Sequence, residues 1–211
     1  MTIIITIKEE DNVWLGSDRM ISYTTTKTTT QTPKYFKKEF QTYNLNKTED
    51  ETGHIEITKN NFKKHNLIFA GAGSDAINNY IKYAFRFPDK IESDPFETYL
   101  LIDVLPVLKE ELATVGLLKT QKGGANDTEA NFLIIYDNEV YPIFRDMGYS
   151  PRTDDYTVIG VADEIALGSL HATKKLSPIE RIEKTLEACS YHSLYVSKEK
   201  DIIKITSEDY K

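Results

Sequence analysis

The residues of this chain with the most chemistry to offer stand near its beginning. Thr2 follows Met1, and a small second residue is what methionine aminopeptidases require. Once Met1 is removed, a threonine carries a nucleophile and a base together: its hydroxyl attacks, and its α-amine, with a reference pKa of about 8, accepts the proton near neutral pH. Asp18, sixteen residues on in Leu15-Gly16-Ser17-Asp18-Arg19, could orient a cation and the amine. The plain alternative is a surface pair with Arg19, worth about 0–1 kcal/mol. Lys34, in Thr32-Pro33-Lys34-Tyr35-Phe36, would lower the pKa of a neighbouring hydroxyl and relay a proton, although most lysines are solvated. Gly71, Gly73 and Ser74 join an apolar run to a helix start. Backbone N–H groups there suit an oxyanion, and a tight turn explains the glycines equally well.

Positioning these groups requires a hairpin. Thr2–Lys8 is β-branched and Ile-rich, 9–12 is a turn, and Val13–Asp18 is a second strand, so the ends carrying Thr2 and Asp18 come close. Ser22–Thr32 holds seven threonines and reads as an edge strand or a loop. Polar, acidic residues 44–54 form the tip of a hairpin insertion, with arms near 35–45 and 54–58. Asn66–Gly71 is a buried strand. A helix capped by Ser74 or Asp75 runs to about Arg86, and another starts at Asp94-Pro95 with a kink at Pro106. Residues 119–129 read as a polar loop. Strands are expected at 131–136, 139–145 and 156–160, helices at 163–173 and 177–191, and strands at 193–197 and 201–206. Ser177-Pro178-Ile179-Glu180 is a capping box. Blocks of strands and helices, rather than strict alternation, argue for α+β with mainly antiparallel sheets.

Composition limits the function classes. With 211 residues, 40% hydrophobic, the chain suits one globular domain over 1–211, with about 39–58 inserted. A net charge of −7 argues against general nucleic-acid binding. No run reaches the 18 or so apolar residues of a membrane span, and no basic leader or signal region precedes Thr2, which points to the cytoplasm. The single cysteine, Cys189, reads as a small buried apolar residue. Four scattered histidines and one cysteine argue against a metal site, and no cofactor motif is present.

Taken together, Thr2-Ile3-Ile4, the hairpin, Gly16-Ser17-Asp18-Arg19, the Thr–Asp separation of sixteen and the Thr–Lys separation of thirty-two resemble the β-type proteasome subunits. They are similar also to the related peptidase of a bacterial ATP-dependent ring protease. Phe69–Ser74 resembles the family's Gly-rich strand end, and Tyr156–Gly160 with Ala166-Leu167-Gly168 its second-half strand and helix. The resemblance implies an N-terminal-nucleophile (Ntn) hydrolase fold, a four-layer αββα sandwich. It further implies amide hydrolysis of peptide or protein substrates through an acyl-threonine, with Thr2, Asp18 and Lys34 as catalytic residues and Gly71, Gly73 and Ser74 at the oxyanion. Homo-oligomeric rings or arrays follow from the same likeness, which also admits an ATP-dependent unfoldase as partner.

Three departures accompany it. Counting back from Gly71 selects Lys59 as the lysine, whereas counting forward from Thr2 selects Lys34, which its Pro-Lys-aromatic-Phe context favours. Val161 stands where the family has a serine, and Tyr191 where it has a supporting aspartate, with Ser190, His192 or Ser193 as substitutes if the register differs. These departures support a second reading, a non-catalytic assembly subunit with a degraded site.

Overall fold

A computed structural model describes residues 2–23, 26–30, 32–120, 126–151 and 153–211. In chain order the elements begin with strands β1 (Ile3–Glu9), β2 (Asn12–Asp18), β3 (Met20–Tyr23), β4 (Thr26–Thr29), β5 (Tyr35–Glu49) and β6 (Ile55–Gly73). Helix α1 (Asp75–Tyr83), the short β7 (Lys90–Ile91), α2 (Phe96–Tyr99) and α3 (Leu105–Thr114) follow. Then come β8 (Lys119–Thr120), β9 (Asn126–Asp127), β10 (Ala130–Tyr136), β11 (Glu139–Ile143) and β12 (Tyr156–Gly160). Helices α4 (Asp163–Ala172) and α5 (Pro178–His192) precede the last strand, β13 (Lys200–Ile205).

Three hydrophobic layers separate four structural ones. The first sheet, ordered β12-β1-β2-β13, is antiparallel throughout. The second, β11-β10-β6-β5-β7, is antiparallel except for the short β5–β7 pairing. Strand β1 shows why its sequence is continuously apolar. Ile3, Ile5 and Ile7 point into the layer shared with Leu170, Ile182 and Leu186 of α4 and α5. Ile4 points the other way, into the layer between the sheets with Ile68, Ala70 and Leu133. Side chains alternate along a strand, so burial on both faces calls for apolar residues at successive positions. A third layer packs Phe69, Phe132 and Ile134 against Ile77, Ile81, Leu105 and Leu108 of α1 and α3. Each fully buried side chain of this size contributes about 1.5–3 kcal/mol. The result is the α+β, four-layer αββα arrangement.

Several boundaries differ from those the sequence suggests. Residues 55–58 of the expected arm and 66–71 belong to one strand, β6, nineteen residues long, which pairs with β5 as far as Glu49–Ile55. Segment 193–197 is a turn, not a strand. It carries the chain from α5 back to the end of β2, where the Ser197 N–H meets Asp18. Helix α1 ends at Tyr83 rather than Arg86, and Ser74 is its N-cap residue by backbone geometry without a side-chain hydrogen bond. Pro95 precedes α2, which continues into a π-helical segment, Leu100–Val104, before α3 begins at Leu105. The wide turn places Pro106 at a helix start, where a missing N–H costs least, so rewinding takes the place of a simple kink. Ser22–Thr32 contains the β3–β4 hairpin, and within 119–129 the short β8 and β9 pair, with 24–25, 31 and 121–125 outside the described residues. The capping box is present: the Ser177 N–H donates to Glu180 Oε2 at 3.1 Å, and the hydroxyl at 2.6 Å. No helix among the described residues is long and apolar enough to cross a membrane.

Candidate active site

Thr2 is held by its own main chain. Its carbonyl accepts the Val161 N–H at 2.8 Å, just beyond the β1–β12 ladder, and the next amide, Ile3 N–H, donates to Asp18 Oδ1 at 3.0 Å. Gly160 has φ +107°, and a Cβ there would collide with the Thr2 carbonyl oxygen. Position 160 therefore requires glycine for two independent reasons, conformation and close approach.

Asp18, at the end of β2, is fully buried. Its carboxylate accepts three backbone N–H groups: Ile3, Met20 at 3.0 Å and Ser197 at 3.2 Å. It also pairs with Lys34, whose Nζ lies 3.4 Å from Oδ1. A buried carboxylate is tolerable when its lone pairs are satisfied in this way. Three different segments supply the donors, so Asp18 ties the N-terminal strand, the β2–β3 turn and the approach to β13 to one point.

Lys34 immediately precedes β5 and reaches inward with only 10% of its side chain exposed. Its ammonium donates to Thr2 Oγ1 and to the Met20 carbonyl, in addition to the Asp18 contact. Burial pushes its pKa below the ordinary lysine value, against the opposing pull of Asp18 and Asp75. Lys59 is elsewhere: it stands opposite Leu45 in the β5–β6 ladder, with its Nζ 4.2 Å from the centroid of the Tyr43 ring. The fold therefore brings Lys34, not Lys59, to Thr2.

A cleft of about 240 Å³ opens beside these groups and is lined by Thr2, Lys34 and Gly71 together with α1. Of the three residues expected at an oxyanion, only Gly71 lines it. The Gly71 N–H is in a long bond, 3.3 Å, to the Lys34 carbonyl, and the Asn78 side chain lies over its Cα, where a Cβ would clash. Gly73 pairs with Ala130, and the Ser74 N–H is directed to the Glu129 carbonyl at 3.1 Å.

The departures at the helper positions have physical form here. Val161 reaches Thr2 through its backbone and offers no hydroxyl. Tyr191, on the last turn of α5, is 83% exposed. Neither Ser190 nor Ser193 reaches Asp18: the Ser190 hydroxyl donates to the Glu187 carbonyl, and that of Ser193 accepts the Tyr195 N–H. Ser197 is the residue sequence reasoning missed. Its hydroxyl accepts the Arg19 N–H at 3.2 Å while its own N–H holds Asp18. Because the contact to Asp18 is through the backbone, no side-chain type marks it in the sequence. Cys189 is buried, and burial pushes its thiol up to about 11, consistent with an inert packing residue. Among the described residues no cluster suits a metal ion.

No family model matches the sequence, and no curated protein matches it. Solved structures do match in fold. Thiobacillus denitrificans BPH in complex with epoxomicin superposes with a TM-score of 0.66 at 9% identity, over 97% of this chain and 98% of that one. The eukaryotic HslV from Trypanosoma brucei gives 0.57 at 13% identity, over 97% and 99%. Anbu (ancestral beta-subunit) from Yersinia bercovieri gives 0.56 at 10% identity, over 97% and 81%. Over nearly its whole length, the chain has the proteasome β-subunit-like fold of the Ntn hydrolases.

Proposed function

We propose that the chain is a threonine-type amide-bond hydrolase acting on peptides or proteins, with Thr2 as nucleophile after loss of Met1. The observation that supports it most is the contact of the buried Lys34 ammonium with Thr2 Oγ1, backed by Asp18. In this reading the free α-amine takes the hydroxyl proton as Oγ1 attacks the amide carbonyl carbon. Lys34 stabilises the developing alkoxide, and Asp18 fixes Lys34 and the Ile3 amide. Gly71, on the cleft wall, supplies the N–H for the tetrahedral oxyanion by turning from its long bond to Lys34. Collapse breaks the C–N bond, with the proton passing from the ammonium to the leaving amine. Water, activated by the same amine, then hydrolyses the Thr2 ester and restores the site.

The proposal extends to a homo-oligomeric assembly, an ATP-dependent unfoldase partner and the cytoplasm as setting. A non-catalytic assembly subunit is the second reading, favoured by the absence of a side-chain helper at Val161 and Tyr191.

Intact mass separates the two first: a mature chain that retains Met1 removes the catalytic reading. Epoxomicin, the compound held by the BPH structure, then serves as probe. Covalent labelling of the purified chain that disappears in Thr2→Ala is the expected result, and an unlabelled chain beginning at Thr2 favours the non-catalytic subunit. Light scattering tests assembly, and a monomer at all concentrations counts against both ring readings.

A further inference from the structure

Helix α1 turns a polar face to the cleft. Asp75, Asn78, Asn79, Lys82 and Tyr83 all line it, at the i, i+3, i+4, i+7, i+8 spacing of one helical face. This face is the solvated rim of the cleft, with Asp75, Asn79 and Tyr83 exposed, while Ile77 and Ile81 fill the buried face of the helix. Here each member carries a polar group, and the two charges stand seven residues apart, about 10 Å along the axis.

The two charges are not equivalent. Asp75 occupies the first turn of α1, where the helix favours a carboxylate, and it acts on the Lys34 ammonium across the cleft. It therefore stands at the Lys34 end of this face, away from Lys82. Lys82 is in the last turn. A cation there would normally interact with the helix carbonyls, but a different lysine has taken one of them: buried Lys38 donates to the Lys82 carbonyl at 3.2 Å and, beyond the helix, to the Phe85 carbonyl at 2.7 Å. Burial weakens the hold of Lys38 on its proton, and the positive charge of Arg86 acts in the same direction. Lys82 Nζ is left with two ring faces, Phe36 at 5.7 Å and Tyr83 at 5.2 Å from the centroids. Among the described residues no carboxylate pairs with it. Ring faces attract a cation but accept none of its N–H bonds in ordinary geometry, so the three donors remain available to whatever enters the cleft.

We propose that Lys82 is a specificity residue that binds an acidic side chain of the substrate, so that the cleft selects peptides with Asp or Glu near the scissile bond over those with Lys or Arg. This rests on the hydrolase reading above and names the substrate class for the same site. Phe36 provides the apolar surface for the methylene groups, and Lys82 the counter-charge at their end. A cationic side chain in that place would face the Lys82 ammonium.

The test uses the purified chain beginning at Thr2 and four peptides that differ only at one residue on the acyl side: Glu, Gln, Leu or Lys. The Glu peptide is expected to exceed the Lys peptide in kcat/KM by about tenfold or more. Lys82→Met, which keeps the stem on the rings, should level the Glu and Gln peptides, and Lys82→Glu should invert the order of Glu and Lys. The main-chain carbonyl that holds Lys38 is retained in both variants. A wild-type chain that cleaves the Leu or Lys peptide as fast as the Glu peptide overturns the role of Lys82, as does a Lys82→Glu variant with an unchanged ratio. In both cases hydrolysis itself still stands. Cleavage of none of the four, with Thr2 also unlabelled by epoxomicin, removes the hydrolase reading and this inference with it.

Discussion

The inner and outer halves of the β5–β6 ladder are made from the same two strands and obey different physics. In the inner half, residues 67–72 of β6 are buried, Phe69 stacks on Phe36 at 5.1 Å, and Gly71 reaches the cleft beside Lys34. In the outer half, Leu45, Ile55, Ile57 and Phe62 are all more than 40% exposed, and the tip is organised locally by Asp50, which accepts the Thr52 and His54 N–H groups at 2.9 Å. Inner residues are constrained by two packed layers and by the chemistry beside them. Outer residues are constrained only by each other. One continuous strand can thus hold both an intolerant cleft wall and a permissive projection.

The sharpest way to break this contrast is at Lys34, where β5 begins. Lys34→Met should reduce kcat/KM about 10⁴-fold or more, as loss of one member of a catalytic group does. Its lowered pKa adds a second signature. If the ammonium form is the working one, activity falls as pH rises through the Lys34 pKa, so the alkaline limb should lie below the ordinary lysine range. An alkaline limb at that ordinary value would separate Lys34 from the rate.

Next in size is Phe69→Ala, on the buried side of β6. Loss of its contacts with Phe36 and Phe132 should destabilise by about 3–5 kcal/mol, measured by denaturant unfolding. Gly71→Ala should cost about 1–3 kcal/mol, because the new Cβ displaces Asn78, and it should lower activity beyond that loss of stability. Smallest is Ile57→Thr on the outer half, expected within about 0.5 kcal/mol of the parent and with unchanged hydrolysis. A loss of 2 kcal/mol or more there would mean that the projection packs against something in solution and would erase the contrast.

The same division explains what was legible in the sequence. The β1–β2 hairpin shows in its β-branched residues, and Asp18 and Lys34 show in their spacing from Thr2, because each contributes through a side chain fixed at or beside a strand end. The run Leu67–Ala70 shows because burial on both faces demands it. The outer half of β6 has no such signature: Thr58, Lys59, Asn61, Lys63 and Lys64 are exposed, and Asn61 adopts φ +53° where the β5–β6 register shifts between Thr42 and Asn44. Ser197 was hidden for a different reason, since a backbone N–H can come from almost any residue. The π-helical passage before Pro106 depends on tertiary packing, and a proline in a helical pattern indicates only that something must give.

The anchoring of Thr2 has a consequence for maturation. Its two main-chain tethers, the carbonyl bonded to Val161 and the following amide bonded to Asp18, both lie on the C-terminal side of its Cα. Cutting the peptide bond before Thr2 breaks neither of them. In the hydrolase reading, exposure of the amine is then a change in charge at a fixed position, and the chain can fold first and be armed afterwards without moving the residue that is armed.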